Sequence, residues 1–263
     1  MFRTHSGRSP LKAKPLRVAG QSLDRQISDF FDDNLVGPFL VCVLLWLMAG
    51  LEWYRYLVPT RPIPEFYTAI ALGTTCYVAW RFIGLFRRLR AMKLGRDGER
   101  AVAELLERMR ERGFRVFHDI VAPNFNVDHL LIGPQGLFAI ETKTITKPGT
   151  GKPLVEYDGE SVIVGGFKPD RDPVGQATAI SRWIRDLLNQ STGRDYDVKP
   201  VVLYPGWYVE NRASKKPLVW VLEPKALPKF IEHEPVRLSS EDVNLVAFHL
   251  SRYIRTNESS GSS

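Results

Sequence analysis

The sequence predicts a mixed α/β domain preceded by a two-helix hairpin able to cross a membrane, and three observations carry that expectation. Residues 35–51 and 66–80 are uncharged, apolar runs in the first third of the chain. The net charge of +7 sits almost wholly there: residues 1–91 hold 12 basic and 6 acidic side chains, residues 92–263 hold 24 and 23. Beyond residue 92, helix-spaced and strand-spaced apolar patterns follow one another in a chain with 44% hydrophobic residues, enough for a sizeable core.

Residues 1–34 read as a polar, basic tail with an amphipathic stretch at 23–31. The run at 35–51 is 17 residues long and is followed by Trp53, Tyr54 and Tyr56, as an interfacial aromatic belt would be. The run at 66–80 reaches residue 86 by including Arg81, whose stem can snorkel to headgroups. Together, residues 35–86 form the expected transmembrane hairpin. Its connector, 52–65, is electrically neutral, with Glu52 and Glu65 offset by Arg55 and Arg61. The outer flanks carry Arg3, Arg8, Lys12, Lys14, Arg17 and Arg25 on one side and Arg87, Arg88, Arg90, Lys93 and Arg96 on the other. The positive-inside rule then places the N-terminus and the following domain on the cytoplasmic side of the cell (inner or plasma) membrane. The alternative is a pair of buried helices in a soluble core. The first run begins too late for a cleaved signal peptide.

Residues 92–256 read as one domain, with 257–263 a disordered tail. A helix over 95–112 has Val102, Leu105, Leu106 and Met109 on one stripe and ends at Gly113. Strands follow at 115–120, 127–132 and 137–145, then a hairpin of 154–157 with 161–164 around Asp158-Gly159. Asp172-Pro173 opens a helix to about residue 189, as N-cap and first-turn proline. Strands at 198–204 and 218–222 and helices at 226–231 and 241–253 close the domain. Cys42 and Cys76 both lie in apolar runs, so neither a disulfide framework nor a Cys-based zinc site is readable. His118, His233 and His249 are scattered, and no P-loop or dinucleotide fingerprint surrounds the loop glycines. Because the excess charge lies outside this domain, the basic pI of 9.4 is not a nucleic-acid footprint.

The chemistry concentrates on one hairpin. If residues 133–136 form a four-residue loop, paired residues have numbers summing to 269, and Asp128 lies opposite Glu141 on one face. Lys143, two residues on, shares that face. Opposed carboxylates are unfavourable unless a cation lies between them, and a divalent metal such as Mg²⁺ suits one or two carboxylates plus water and phosphate. Glu99 falls on the buried stripe of its helix and Gln176 on the apolar face of the next, so both need polar partners. The alternative is a set of solvated surface charges, and a one-residue slip in register would reverse every face. His129, beside Asp128, points to the opposite face and reads as a core or surface histidine. Trp207, Tyr208 and Trp220 read as core or sheet residues, and 212–216 as a solvated loop.

Four segments in order resemble one family: Gly95-x-x-Gly98-Glu99, Asn126 to Ile132 around Asp128, Gly136 to Lys143 ending in Glu141-Thr142-Lys143, and Asp172-Pro173-x-x-Gln176. Across about residues 92–235 they resemble the nuclease-related (NERD) domain, which is similar to the PD-(D/E)xK, restriction-endonuclease-like nucleases. The chain departs from the latter pattern in having Val127 before Asp128. The resemblance implies a mixed sheet flanked by helices. It implies Asp128, Glu141 and Glu99 as metal ligands for Mg²⁺ or Mn²⁺, Lys143 as the catalytic lysine and Gln176 as an auxiliary site residue. The expected function is a membrane-anchored, metal-dependent nuclease acting on DNA. The alternative is a non-catalytic, membrane-tethered module on the same fold that binds nucleic acid or protein, which the nearly neutral domain charge favours.

Overall fold

The computed structural model describes residues 19–31, 34, 36–58, 63–148 and 151–260; the expected tail basics before residue 19, Arg61 and residues 261–263 lie outside them. Two compact units divide the chain: Gln21–Asp97, and Gly98–Ser263 together with the segment ending at Gly20.

The first unit contains α1 (Gln21–Phe31), α2 (Gly37–Tyr56) and most of α3 (Pro64–Glu107). Helices α2 and α3 form an antiparallel hairpin joined by hydrogen bonds from Trp46 Nε1 to Thr75 Oγ1 (3.1 Å) and Trp53 Nε1 to Thr68 Oγ1 (3.0 Å). Buried Glu52 accepts from the Ile63 N–H (2.9 Å), tying the connector down. Both helices are long and apolar enough to cross a membrane, with mean hydropathies of 1.5 and 1.4 over their most apolar stretches. Only 11% and 17% of those stretches is buried, and Phe39, Leu40, Leu44 and Leu47 are exposed, whereas a soluble core helix hides its apolar face.

The second helix differs from expectation. A separate helix was expected to begin near Gly95, yet α3 runs unbroken for 44 residues. No proline follows Pro64 within it, and interior glycines such as Gly95 cost only about 1 kcal/mol each, too little to end a helix with strong formers on both sides. A 3₁₀ turn over Arg108–Arg112 tightens its end, and Gly113 closes it in the left-handed conformation.

The larger unit is a mixed α/β domain. Strands β1 (Arg115–Val121), β2 (Asn126–Gly133) and β3 (Gly136–Thr142) form an antiparallel meander. Strand β4 (Leu154–Tyr157) pairs with β5 (Val162–Val164), α4 (Pro173–Thr192) follows, and β6 (Val198–Leu203) returns parallel to β3. Strand β7 (Tyr208–Asn211), unforeseen as a strand of its own, joins β4, and β8 (Trp220–Leu222) joins β6. The result is a five-stranded sheet, β1-β2-β3-β6-β8, beside a three-stranded sheet, β5-β4-β7. Helices α5 (Leu227–Glu232) and α6 (Ser240–Ser260) close the domain, and α6 continues through most of the segment expected to be a disordered tail. Central β3 is buried at every residue, as a strand covered on both faces should be. One face packs Leu130, Leu137 and Ala139 against Ile180 and Ile184 of α4 and Val246 and Leu250 of α6. The other packs Leu131, Phe138 and Ile140 against Val102 and Leu106 of α3 and Ile231 of α5. The β2–β3 hairpin is therefore held from two sides.

Candidate active site

The β2–β3 register is the foundation. Gly133 pairs with Gly136 and His129 with Ile140, so partners sum to 269; only Pro134-Gln135 remain as the turn, with the expected alignment unchanged. Asp128 is next in line toward Glu141, and there the backbone ladder gives way to a side chain: Asp128 Oδ2 accepts from the Thr142 N–H (2.7 Å). Beyond it, β3 is steered by β6, whose Leu203 carbonyl accepts from the Lys143 N–H (2.8 Å).

Glu141, only 5% exposed, anchors a closed triangle. Its Oε1 accepts from Lys143 Nζ (2.7 Å) and from Gln176 Nε2 (2.7 Å), while Lys143 Nζ also donates to Gln176 Oε1 (2.8 Å). Gln176 arrives there because Asp172 caps α4, accepting from the Val174 N–H (3.0 Å), with Pro173 in the first turn. Glu141 Oε2 is buried and has no hydrogen-bond partner among the described residues. A carboxylate oxygen withheld from water in that way is costly unless something positive meets it.

The electrostatics run in one direction. Burial, then Glu141, then Glu99 push the Asp128 carboxyl well above its usual range, despite the Thr142 N–H. Burial, Asp119 and Glu141 raise Glu99 to about 7, against a small opposing bond from the Gly20 N–H. Burial also raises Glu141, although Lys143 and Gln176 pull it down. Desolvation and like charge thus raise all three carboxyls, and the Lys143 ammonium relieves Asp128 and Glu141. Glu99 joins Asp128 and Glu141 through the field, with no hydrogen bond to either.

Gly98 explains how α3 reaches this place. A Cβ there would collide with the Thr144 side chain, so only glycine lets the helix approach the end of β3 so closely. Gly95 has no such constraint, its nearest neighbour being Leu23 Cδ1 at 3.7 Å.

Asp119 is a neighbour of the candidate site that the sequence reading missed. The β1–β2 register, with His118 facing His129 and Ile120 facing Val127, sets Asp119 across from Asp128. It is buried, accepts from Asn126 Nδ2 (3.2 Å) and has φ of 50°, a conformation that non-glycine residues adopt chiefly at turns and functional sites. The signal was the acid itself in a short apolar strand; finding its neighbour required the β1–β2 register.

His129 lies in the core on the other face. Its Nδ1 meets His118 Nδ1 (2.8 Å), and His118 Nε2 meets Glu107 Oε1 (2.9 Å). Burial lowers both imidazoles, so they are neutral at neutral pH. The carboxylate requires Nε2–H on His118, leaving His118 Nδ1 to accept from Nδ1–H of His129.

Among the described residues, no three His, Cys, Asp or Glu side chains are gathered as a metal-holding group. The two adjacent carboxylates, the orphaned Glu141 oxygen and the hard-oxygen character of the donors nevertheless fit Mg²⁺ or Mn²⁺, which usually takes one or two carboxylates and fills its shell with water and phosphate. A 410 Å³ cavity lined by Lys216, Trp220 and Phe230 shares none of these residues.

Compared with known proteins, residues 94–205 match the family model of the nuclease-related domain, NERD. That interval contains Glu99, Asp119, Asp128, Glu141, Lys143 and Gln176 and ends short of the expected 235. No curated protein and no solved structure gives a match.

Proposed function

Residues 94–205 are a nuclease-related domain, and from that premise we propose that the chain is a membrane-anchored, divalent-metal-dependent phosphodiesterase acting on DNA at the cytoplasmic face. The observation that carries the reading is the Glu141–Lys143–Gln176 triangle beside Asp128, with one buried Glu141 oxygen left open. Asp128 and Glu141 would hold Mg²⁺ or Mn²⁺, with Glu99 contributing charge from α3. The bound ion supplies Lewis-acid stabilisation of the phosphate and a water of lowered pKa.

The chain's own residues do the rest. An ammonium has three protons, and two of those on Lys143 are committed to Glu141 and Gln176. The third is free to donate to a phosphate oxygen or to orient the attacking water. Gln176 fixes the direction of that proton, since it holds both Lys143 and the Glu141 oxygen that Lys143 uses. Preorganised donors of this kind act on charge that develops only in the transition state.

The exposed apolar faces of α2 and α3 support anchoring, and the basic flanks support a cytoplasmic domain. The nearly equal 24 basic and 23 acidic residues of 92–263 favour a second reading, a tethered binding module, because nonspecific DNA affinity is mostly electrostatic. The test is incubation of the full chain in detergent with supercoiled DNA, with Mg²⁺ or Mn²⁺ and with EDTA. Nicking or linearisation only with metal is expected. An intact plasmid under every condition, with the protein folded, counts for the binding module.

A further inference from the structure

A 480 Å³ cavity, within the roughly 300–1,000 Å³ of small-molecule sites, is linked to the carboxylate cluster along the chain. Its walls come from the two segments that lead away from the site. One, with Ile145 and Pro148, continues from Lys143; the other, with Phe167 and Pro169, leads to Asp172 and so to Gln176. Trp207 lines the cavity and is fixed by its Nε1–H donating to the Ile145 carbonyl (3.2 Å). Gly165 lies against that ring and has φ of 57°, a left-handed conformation that favours glycine.

Phe167 is 80% exposed, which is unusual for a phenylalanine on so rigid a support. The turn that presents it is closed by reciprocal bonds, Val164 N–H to the Phe167 carbonyl (2.8 Å) and Phe167 N–H to the Val164 carbonyl (3.1 Å). The Gly165 N–H further donates to the Leu154 carbonyl (2.9 Å). An aromatic ring held in water at the edge of an apolar cavity is a ready stacking surface. The local charge suits a phosphate backbone. Residues 143–148 and 167–172 hold Lys143, Lys147, Lys168 and Arg171 against Asp170 and Asp172, a two-to-one excess in a domain that is otherwise nearly neutral. Asp172 is moreover committed to capping α4.

We infer that this cavity receives an unpaired nucleobase, stacked on Phe167, from the strand whose phosphate lies at Lys143. The substrate class is accordingly single-stranded or locally opened nucleic acid. A paired base cannot leave its stack for such a cavity without a cost of a few kcal/mol. The inference rests on the phosphodiesterase reading for the placement of the phosphate, and the experiment separates the two.

The full chain in detergent is titrated with a single-stranded oligonucleotide carrying 2-aminopurine, with Ca²⁺ in place of Mg²⁺ to prevent cleavage, and with the matching duplex. Cleavage is scored separately in Mg²⁺. Stacking quenches 2-aminopurine, which is therefore already dim inside a duplex, so the readout is the change on adding protein. The wild type should quench the single strand further and leave the duplex signal unchanged. Phe167→Ala should lose the quench and bind about tenfold more weakly, as deletion of one base–aromatic stack does; Phe167→Trp should retain both. Equal quenching and affinity in Phe167→Ala overturns the inference, as does equal quenching of the duplex. No oligonucleotide binding by the wild type overturns it together with the nuclease reading. Phe167-dependent quenching with no cleavage in Mg²⁺ upholds the stacking site and overturns the catalytic reading alone.

Discussion

Glu99→Gln should stabilise the metal-free protein, and only above a definite pH. The Glu99 carboxyl rises from an ordinary 4.5 to about 7, chiefly through burial and then through Asp119 and Glu141. Between those values the folded state holds a proton that the unfolded state has released. Unfolding free energy therefore falls as pH rises from about 4.5 to about 7, and is level above that. At 1.36 kcal/mol per unit, the 2.5 units amount to about 3 kcal/mol of strain at pH 8. Glutamine keeps the shape without the charge, so most of that is recovered, about 1–3 kcal/mol after allowance for imperfect replacement. For a domain of this size that is on the order of 3–8 °C in Tm. The assay is thermal unfolding in detergent with EDTA at pH 8 and pH 5; at pH 5 the folded Glu99 keeps its proton and the gain from the substitution should fall below about 1 kcal/mol. A variant less stable than wild type at pH 8, or equally stabilised at both pH values, would refute the picture of carboxylates confined against their own repulsion.

Other consequences follow from the same geometry. Adding Mg²⁺ or Mn²⁺ should raise the Tm of the wild type but not of Asp128→Asn, since a ligand that binds only the folded state stabilises it; a shift retained in Asp128→Asn would place the metal elsewhere. Gly98→Ala should lower both Tm and cleavage by displacing Thr144 from the end of β3, whereas Gly95→Ala, with only ordinary contacts, should be neutral or stabilising by up to about 1 kcal/mol. His118→Ala leaves the buried His129 Nδ1–H without its acceptor and should cost about 1–3 kcal/mol, read by chemical denaturation. The full chain should stay with membranes in carbonate at high pH, and its release would remove the anchoring proposal.

What could be read from the sequence was local. The β2–β3 alignment was legible because the turn at Pro134-Gln135 and the alternating side chains leave little freedom, and Asp128, Glu141 and Lys143 followed from counting. Gln176 was legible from helix phase and from the Asp172-Pro173 start. Asp119 was not, because its place depends on the 122–125 connection, on the β1–β2 register and on a positive φ that no pattern announces. The continuity of α3 was hidden for a different reason: Gly95 reads as a helix start, yet the helix runs through it, and Gly98 serves close packing against Thr144 within the helix. The small sheet was half visible. The Asp158-Gly159 hairpin gave β4 and β5, but β7 joins β4 in parallel across a long stretch of chain, a pairing without a local signature.

The most direct measurement is single-turnover cleavage of labelled single-stranded and duplex DNA in Mg²⁺ by the full-length wild type and Lys143→Ala, purified in parallel. The account predicts metal-dependent cleavage by the wild type and a loss of at least about 100-fold in the variant, with DNA binding retained. Equal cleavage by the two proteins would contradict the assignment of the site, and a folded, DNA-binding wild type that cuts neither substrate would contradict the enzyme itself.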